Sequence, residues 1–284
     1  MGYTNLTDLL RDAAGAGSLG AAVVAREVDE SGDDRATVVG RLLEALDVME
    51  AGVEAGLRGD VRSRSGLTGG DARRVADSVP IAGSTFASTV AASLAVAEVN
   101  AAMGRVVAAP TGGASGVLPG VLLTLARESG ADRERMALAL AAAGGIGGII
   151  AAKASLSGAA SGCQAEIGSG AAMAAAAAVE LLGGTPAQAG HAASLALQGQ
   201  LGLVCDPVGG LVEVPCVVRN ATGAGVALAA AQMALAGVEF PIPFDEVASA
   251  MGAVGKSLPP SLRETALGGL AVTPTGKRLA GGAS

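Results

Sequence analysis

Three features of these 284 residues predict an all-helical fold. Half of the chain is apolar, but that half is carried by Ala, Val and Leu, with no Trp, one Tyr and three Phe. Alanine is the best helix former, and its small side chain lets backbones approach closely. Apolar positions recur at helical spacing, caps stand at the expected ends, and no run shows the sustained alternation of a strand. The 44 glycines gather in phrases between apolar runs, so they read as turns and close backbone contacts and not as helix interior.

The first seventy residues are the most charged and are expected to form an N-terminal amphipathic helical region, 1–70, lying on a larger helical domain, 71–284. Within the first region, Val38, Leu42, Leu46, Met49 and Val53 keep i, i+4, i+3 spacing and predict a helix over Arg35–Leu57. A second helix is expected from Ile81 to Met103, and a third from Val117 to Glu128, opening directly after the glycine-rich loop Gly112–Gly116. Asp132 can cap the next, running to about Ala152. Its apolar stretch from Met136 to Leu156 is interrupted by four glycines and Lys153 and follows a charged Asp-Arg-Glu-Arg turn, so it reads as a buried helix and not a membrane span.

After Cys163 a nearly all-alanine helix is expected to about Leu182, ended by Gly183-Gly184. Thr185-Pro186-Ala187-Gln188 reads as a capping box with proline at the first helical position, opening a helix to about Gln198. Pro215 suits the start of a helix to Ala236, and two shorter helices are expected near Asp245–Val254 and Leu262–Leu267.

The net charge of −7, from 26 acidic and 19 basic residues, comes without a basic stripe interleaved with aromatics, which argues against nucleic acid as a partner. Met1-Gly2-Tyr3-Thr4-Asn5 lacks the basic and apolar regions of a secretory signal, so a reducing cytoplasm is the expected compartment. Three cysteines, an odd number without a CxxC pair, fit neither a disulfide framework nor a structural zinc knuckle. Each lies in a turn-forming phrase: Ser157–Glu166 around Cys163, Gly202–Val208 around Cys205, and Val212–Cys216. Cys163 and Cys216 are placed near helix N-termini, whose partial positive charge lowers a thiol pKa, and Asp206-Pro207 suggests a tight turn after Cys205. Spacing alone leaves two readings open, three buried free thiols and a set of metal ligands.

Read together, Gly202–Val208 and Leu211–Asn220 (LVEVPCVVRN) resemble the iron-sulfur-dependent L-serine dehydratases, and Gly162-Cys163-Gln164-Ala165-Glu166 resembles their first cluster-cysteine motif. Ser65–Ala72, Glu98–Gly104, Pro110-Thr111 with its glycines, and Arg263–Leu270 are similar to the alpha subunit of the two-subunit form. The resemblance, which runs from about Thr7 onward, implies a [4Fe-4S] cluster on Cys163, Cys205 and Cys216, with one iron lacking a thiolate from this chain. It implies L-serine ammonia-lyase activity and a separate serine dehydratase beta subunit as partner. The sequence departs from the family at Lys153, at Ala160-Ser161 and within Pro110–Gly116, which bears on the choice of amino acid.

A small amino-acid substrate needs donors for its carboxylate. Thr111, Gly112, Gly113 and Ser115 form one candidate loop, and Ser65, Thr68 and Gly69 a second. A base must remove the α proton. His191, the only histidine, sits mid-helix as a packing residue would, and Lys153 would need desolvation to serve. No base is assigned to this chain. Two other readings stand beside the first: a related lyase acting on threonine, cysteine or another small β-substituted amino acid, and a non-catalytic helical partner protein.

Overall fold

The computed structural model describes residues 2–282, and among these all regular structure is helical. The α-helices are α1 (Leu6–Ala16), α2 (Leu19–Ser31), α3 (Arg35–Leu57), α4 (Asp71–Ala76), α5 (Ser84–Ala101), α6 (Val117–Ser129) and α7 (Arg133–Lys153). There follow α8 (Gly158–Ser161), α9 (Ile167–Leu181), α10 (Pro186–Gln198), α11 (Cys216–Leu235), α12 (Phe244–Ser257) and α13 (Pro274–Gly282), with short 3-10 turns between some of them. The helices expected at 35–57, 117–128, 132–152, 185–198 and 215–236 are present within a residue or so of their expected ends.

At the centre lies α9, every residue of which except Glu180 is buried. Its Ala, Gly and Ser surface lets α6, α7, α10 and α11 pack around it at short range. Helix α7, long and apolar enough by composition to cross a membrane, is buried here against α9, α2 and α3, as its glycines predict. Close approach explains the glycines on the outer helices. A methyl added at Gly56 would stand 2.4 Å from the backbone of Ala95 on α5, and one at Gly20 2.1 Å from the Leu138 carbonyl on α7. Buried residues of α1, α2 and α3, including Leu9, Leu19, Leu46 and Met49, belong to the same apolar core as Ile146, Ile149 and Ile167.

Caps follow the sequence closely. Asp132 Oδ1 accepts from Arg135 N at 2.8 Å, and Thr185 and Gln188 make the reciprocal capping box. The Glu180 carboxylate, carried at the end of α9, accepts from Leu19 N and Gly20 N and so caps the neighbouring helix α2.

Three expectations are corrected. The helix foreseen from Ile81 starts at Ser84, because Gly83 takes a left-handed φ of 83° and Val79-Pro80-Ile81 forms an exposed loop. Leu262–Leu267 is not an α-helix: Cys205 N donates to Leu262 O at 2.9 Å and Glu264 N to Cys205 O at 2.8 Å, so the backbone there is extended and pairs with the Cys205 segment. Glu264 and Ala266 then turn at positive φ, which no helix accommodates. Lastly, Pro215 follows a cis peptide bond and stands at the N-cap, leaving Cys216 as the first helical residue.

Candidate active site

All three cysteines are buried and free, and they meet at one end of α9 and α11. Cys163 opens a 3-10 turn that leads into α9, Cys216 opens α11, and Cys205 lies in the extended segment bridged to Arg263. Contact with the Cys205 thiol, together with the Arg219 guanidinium, holds Cys163 below the ordinary thiol range. The same contact pushes Cys205 up. Burial, reinforced by Cys163, pushes Cys216 up to about 12, so at this helix start desolvation outweighs the favourable dipole expected from the sequence. Among the described residues, no three His, Cys, Asp or Glu side chains are gathered tightly enough for a single metal ion.

The thiols are positioned by buried amides that sequence reading left without a role. Gln164, fully buried, donates from Nε2 to Ser161 O and Met251 O and accepts from Gly202 N at 2.8 Å, while its own N–H donates to Leu203 O. It thereby ties the Cys163 turn to the chain just before Cys205. Asn220, one turn after Cys216, accepts from Gly116 N at 2.8 Å and donates to Gly113 O at 2.7 Å and Cys216 O at 3.0 Å. Arg219 donates to Val204 O at 2.8 Å and pairs at 2.8 Å with Asp206, whose other carboxylate oxygen accepts from Leu270 N. With Asp206 only 3% exposed, this ion pair is the electrostatic clamp on the Cys205 segment.

Both candidate substrate loops come to this region. In the first, Thr111 Oγ1 donates to Glu166 Oε1 at 2.7 Å, and Gly112–Ala114 forms a 3-10 turn. The N–H groups of Ala114, Ser115 and Gly116 are spent on Thr111 O, Gly112 O and Asn220 Oδ1, which leaves Thr111–Gly113 as the half of the loop that meets Glu166. Ser115 Oγ is buried without a hydrogen-bond partner. In the second loop, Ser65 N and Oγ donate to the Glu213 carboxylate, three residues before Cys216, and Gly69 takes φ 133° over the Val61 carbonyl. Glu98 accepts from Gly70, Asp71 and Ala72 N–H at the far end, while Thr68 Oγ1 is buried and unpaired.

Glu166 itself is raised in pKa, chiefly by burial and further by the nearby Glu264, against the Thr111 hydrogen bond that lowers it. Lys153 and His191 are engaged elsewhere. The Lys153 ammonium pairs with Asp245 at 3.0 Å, and Asp245 also accepts from Leu6 N. His191 Nδ1 accepts from Phe240 N at 3.2 Å, the packing role its helical position implies.

Residues 16–271 match the family model described as serine dehydratase alpha chain. The chain is 48% identical over 261 residues to the probable L-serine dehydratase alpha chain of Bacillus subtilis, covering 90% of this chain and 87% of that one. It is 43% identical over 261 residues to the L-serine dehydratase alpha chain of Peptoniphilus asaccharolyticus, covering 90% and 89%. With the L-serine dehydratase TdcG of Escherichia coli it shares 48% identity over 182 residues, 63% of this chain but 40% of that protein. On this match, extending from the end of α1 through the segment that bridges Cys205, the chain belongs to the serine dehydratase alpha-chain family.

Proposed function

We propose that this chain is the cluster-bearing alpha subunit of an L-serine ammonia-lyase, converting L-serine to pyruvate and ammonia in a reducing cytoplasm, with a separate beta chain completing the site. The observation that carries the reading is the meeting of Cys163, Cys205 and Cys216, free and buried, with the Thr111–Gly113 and Ser65–Gly69 loops tied to the same helix ends. The donor set fits a [4Fe-4S] cluster in kind: three buried free thiols on three separate turns, with Cys163 and Cys205 in contact and the Arg219 cation beside Cys163 to offset thiolate charge. A cluster held by three thiolates would supply an open Lewis-acidic iron to weaken the bond to the substrate hydroxyl.

The chain's own residues supply position. Gln164, Asn220 and the Asp206–Arg219 pair hold the three cysteine segments in register, and Arg219 adds a positive charge beside Cys163. The Thr111–Gly113 turn offers backbone amides for the substrate carboxylate. With Lys153 spent on Asp245 and His191 on Phe240, the base that removes the α proton is assigned to the beta chain. Lys153, Ala160 and Ser161 together motivate a different small amino acid as the alternative substrate, and of these Lys153 is engaged by Asp245.

Iron and acid-labile sulfide per chain, measured on protein purified without oxygen, test the reading beside Cys205→Ser. About four of each, lost in the variant together with L-serine turnover in the presence of the beta chain, is the expected result. Unchanged metal content and activity in the variant would leave the cysteines as packing residues.

A further inference from the structure

Glu166, part-buried, is less satisfied than the other carboxylates that hold the site's backbone in place. Glu98 receives three backbone N–H groups, Glu213 the backbone and hydroxyl of Ser65, Asp206 the Arg219 guanidinium and Leu270 N, and Asp245 the Lys153 ammonium and Leu6 N. The Glu166 side chain accepts only from Thr111 Oγ1, and among the described residues no cation lies within ion-pairing distance of it. Its second oxygen is bordered by two residues without side chains. A methyl at Gly113 would lie 3.2 Å from Oε2, and one at Gly158 only 2.7 Å from Oε2 and 3.2 Å from Cys205 Sγ. The carboxylate and the Cys205 sulfur are therefore neighbours across Gly158, where a side chain of any size would press on Oε2. Glu264 adds negative charge to the same place. A largely buried carboxylate with no cation is costly until a cation reaches it.

We propose that Glu166 receives the α-ammonium group of the amino-acid substrate. The assignment rests on the L-serine reading above and extends it to one residue. Serine carries its ammonium and hydroxyl on adjacent carbons, so the group that takes the ammonium must adjoin the group that holds the hydroxyl. Glu166 lies beside Cys205 at the cysteine end of the site, and through Thr111 it also adjoins the loop suited to the substrate carboxylate. The ammonium and the carboxylate of one small amino acid thus meet two neighbouring parts of the chain, and an ammonium with three N–H donors matches an oxygen that lacks a donor.

The test uses the cluster-loaded complex of this chain with the beta chain, prepared without oxygen, and two unreactive probes titrated by calorimetry. L-Alanine keeps the ammonium and lacks a leaving group; 3-hydroxypropionate keeps the hydroxyl and lacks the ammonium. In Glu166→Gln, L-alanine affinity should fall by at least about tenfold, as loss of a charge-assisted hydrogen bond requires, while 3-hydroxypropionate affinity stays within about twofold. Glu166→Asp, which keeps the charge, should recover part of the loss. Equal losses for both probes, no loss for either, or loss of iron from Glu166→Gln would each overturn the assignment. So would lost turnover with probe preference intact, because the carboxylate would then act on carbon and not on nitrogen. A wild-type complex that binds L-alanine but does not turn over L-serine would instead count against the L-serine reading. One that binds neither probe nor L-serine removes both.

Discussion

The helical scaffold and the loop-built end of the molecule are held together by different means. Around α9 the contacts are apolar and the backbone is regular, and elsewhere in the scaffold helices close on one another with glycine against backbone, as at Gly56 of α3 and Ala95 of α5. Around the cysteines the chain runs through 3-10 turns, one isolated bridge and the positive-φ residue Glu264, and it is held by side chains that hydrogen-bond to backbone across long sequence distances. The scaffold therefore depends on shape, whereas the site depends on a few buried polar groups. A single exchange should harm each in a different way.

The largest expected effect is at the clamp. Arg219→Met leaves Asp206 buried without its cation and should cost about 3–5 kcal/mol, read as a lowered midpoint of denaturant unfolding. The double variant Arg219→Met/Asp206→Asn should recover much of that stability. Recovery of stability without recovery of iron content would sharpen the contrast, because it would separate the charge balance from the placing of Cys205.

Next comes the scaffold. Gly56→Ala forces a methyl to within 2.4 Å of the Ala95 backbone and should cost about 1–3 kcal/mol. Iron bound per folded chain should be unchanged. A variant with normal stability, or one that lost iron in proportion to activity while remaining folded, would erase the distinction between the two regions.

The smallest effect concerns Glu98, whose pKa burial raises above the ordinary 4.5 in spite of its three backbone donors. A carboxyl raised on folding holds its proton longer in the native state, so its contribution to stability is full below the unfolded value and declines as pH climbs toward the folded one. Glu98→Gln should accordingly gain on the wild type as pH increases from about 4 to 7, whatever the constant offset from its altered hydrogen bonds. Unfolding curves at several pH values check the slope, and a flat difference would contradict it.

Much of the scaffold was legible because its signals are local. Asp132, the Thr185–Gln188 box and the spacing of Val38, Leu46 and Met49 each act within a turn or two of chain. Local signals are also present for α1 and α2, whose caps Asn5 and Ser18 accept from Asp8 N and Ala21 N, but both helices are short beside α3 in the same charged region. The cysteine phrases were legible as phrases. The roles of Gln164, Arg219, Asn220 and Glu213 were not, since each is defined by a partner many residues away. Leu262–Leu267 was misread for the same reason: its composition permits a helix, and only pairing with Cys205 forbids one.

That pairing also sets an order of events during synthesis. The segment that bridges Cys205 is translated after all three cysteines, so a nascent chain carries every thiol while the backbone that fixes Cys205 is still inside the ribosome. A fully formed site belongs only to chains extended well past Arg263, and whatever group the three thiols take up meets its finished receptor after elongation through that point.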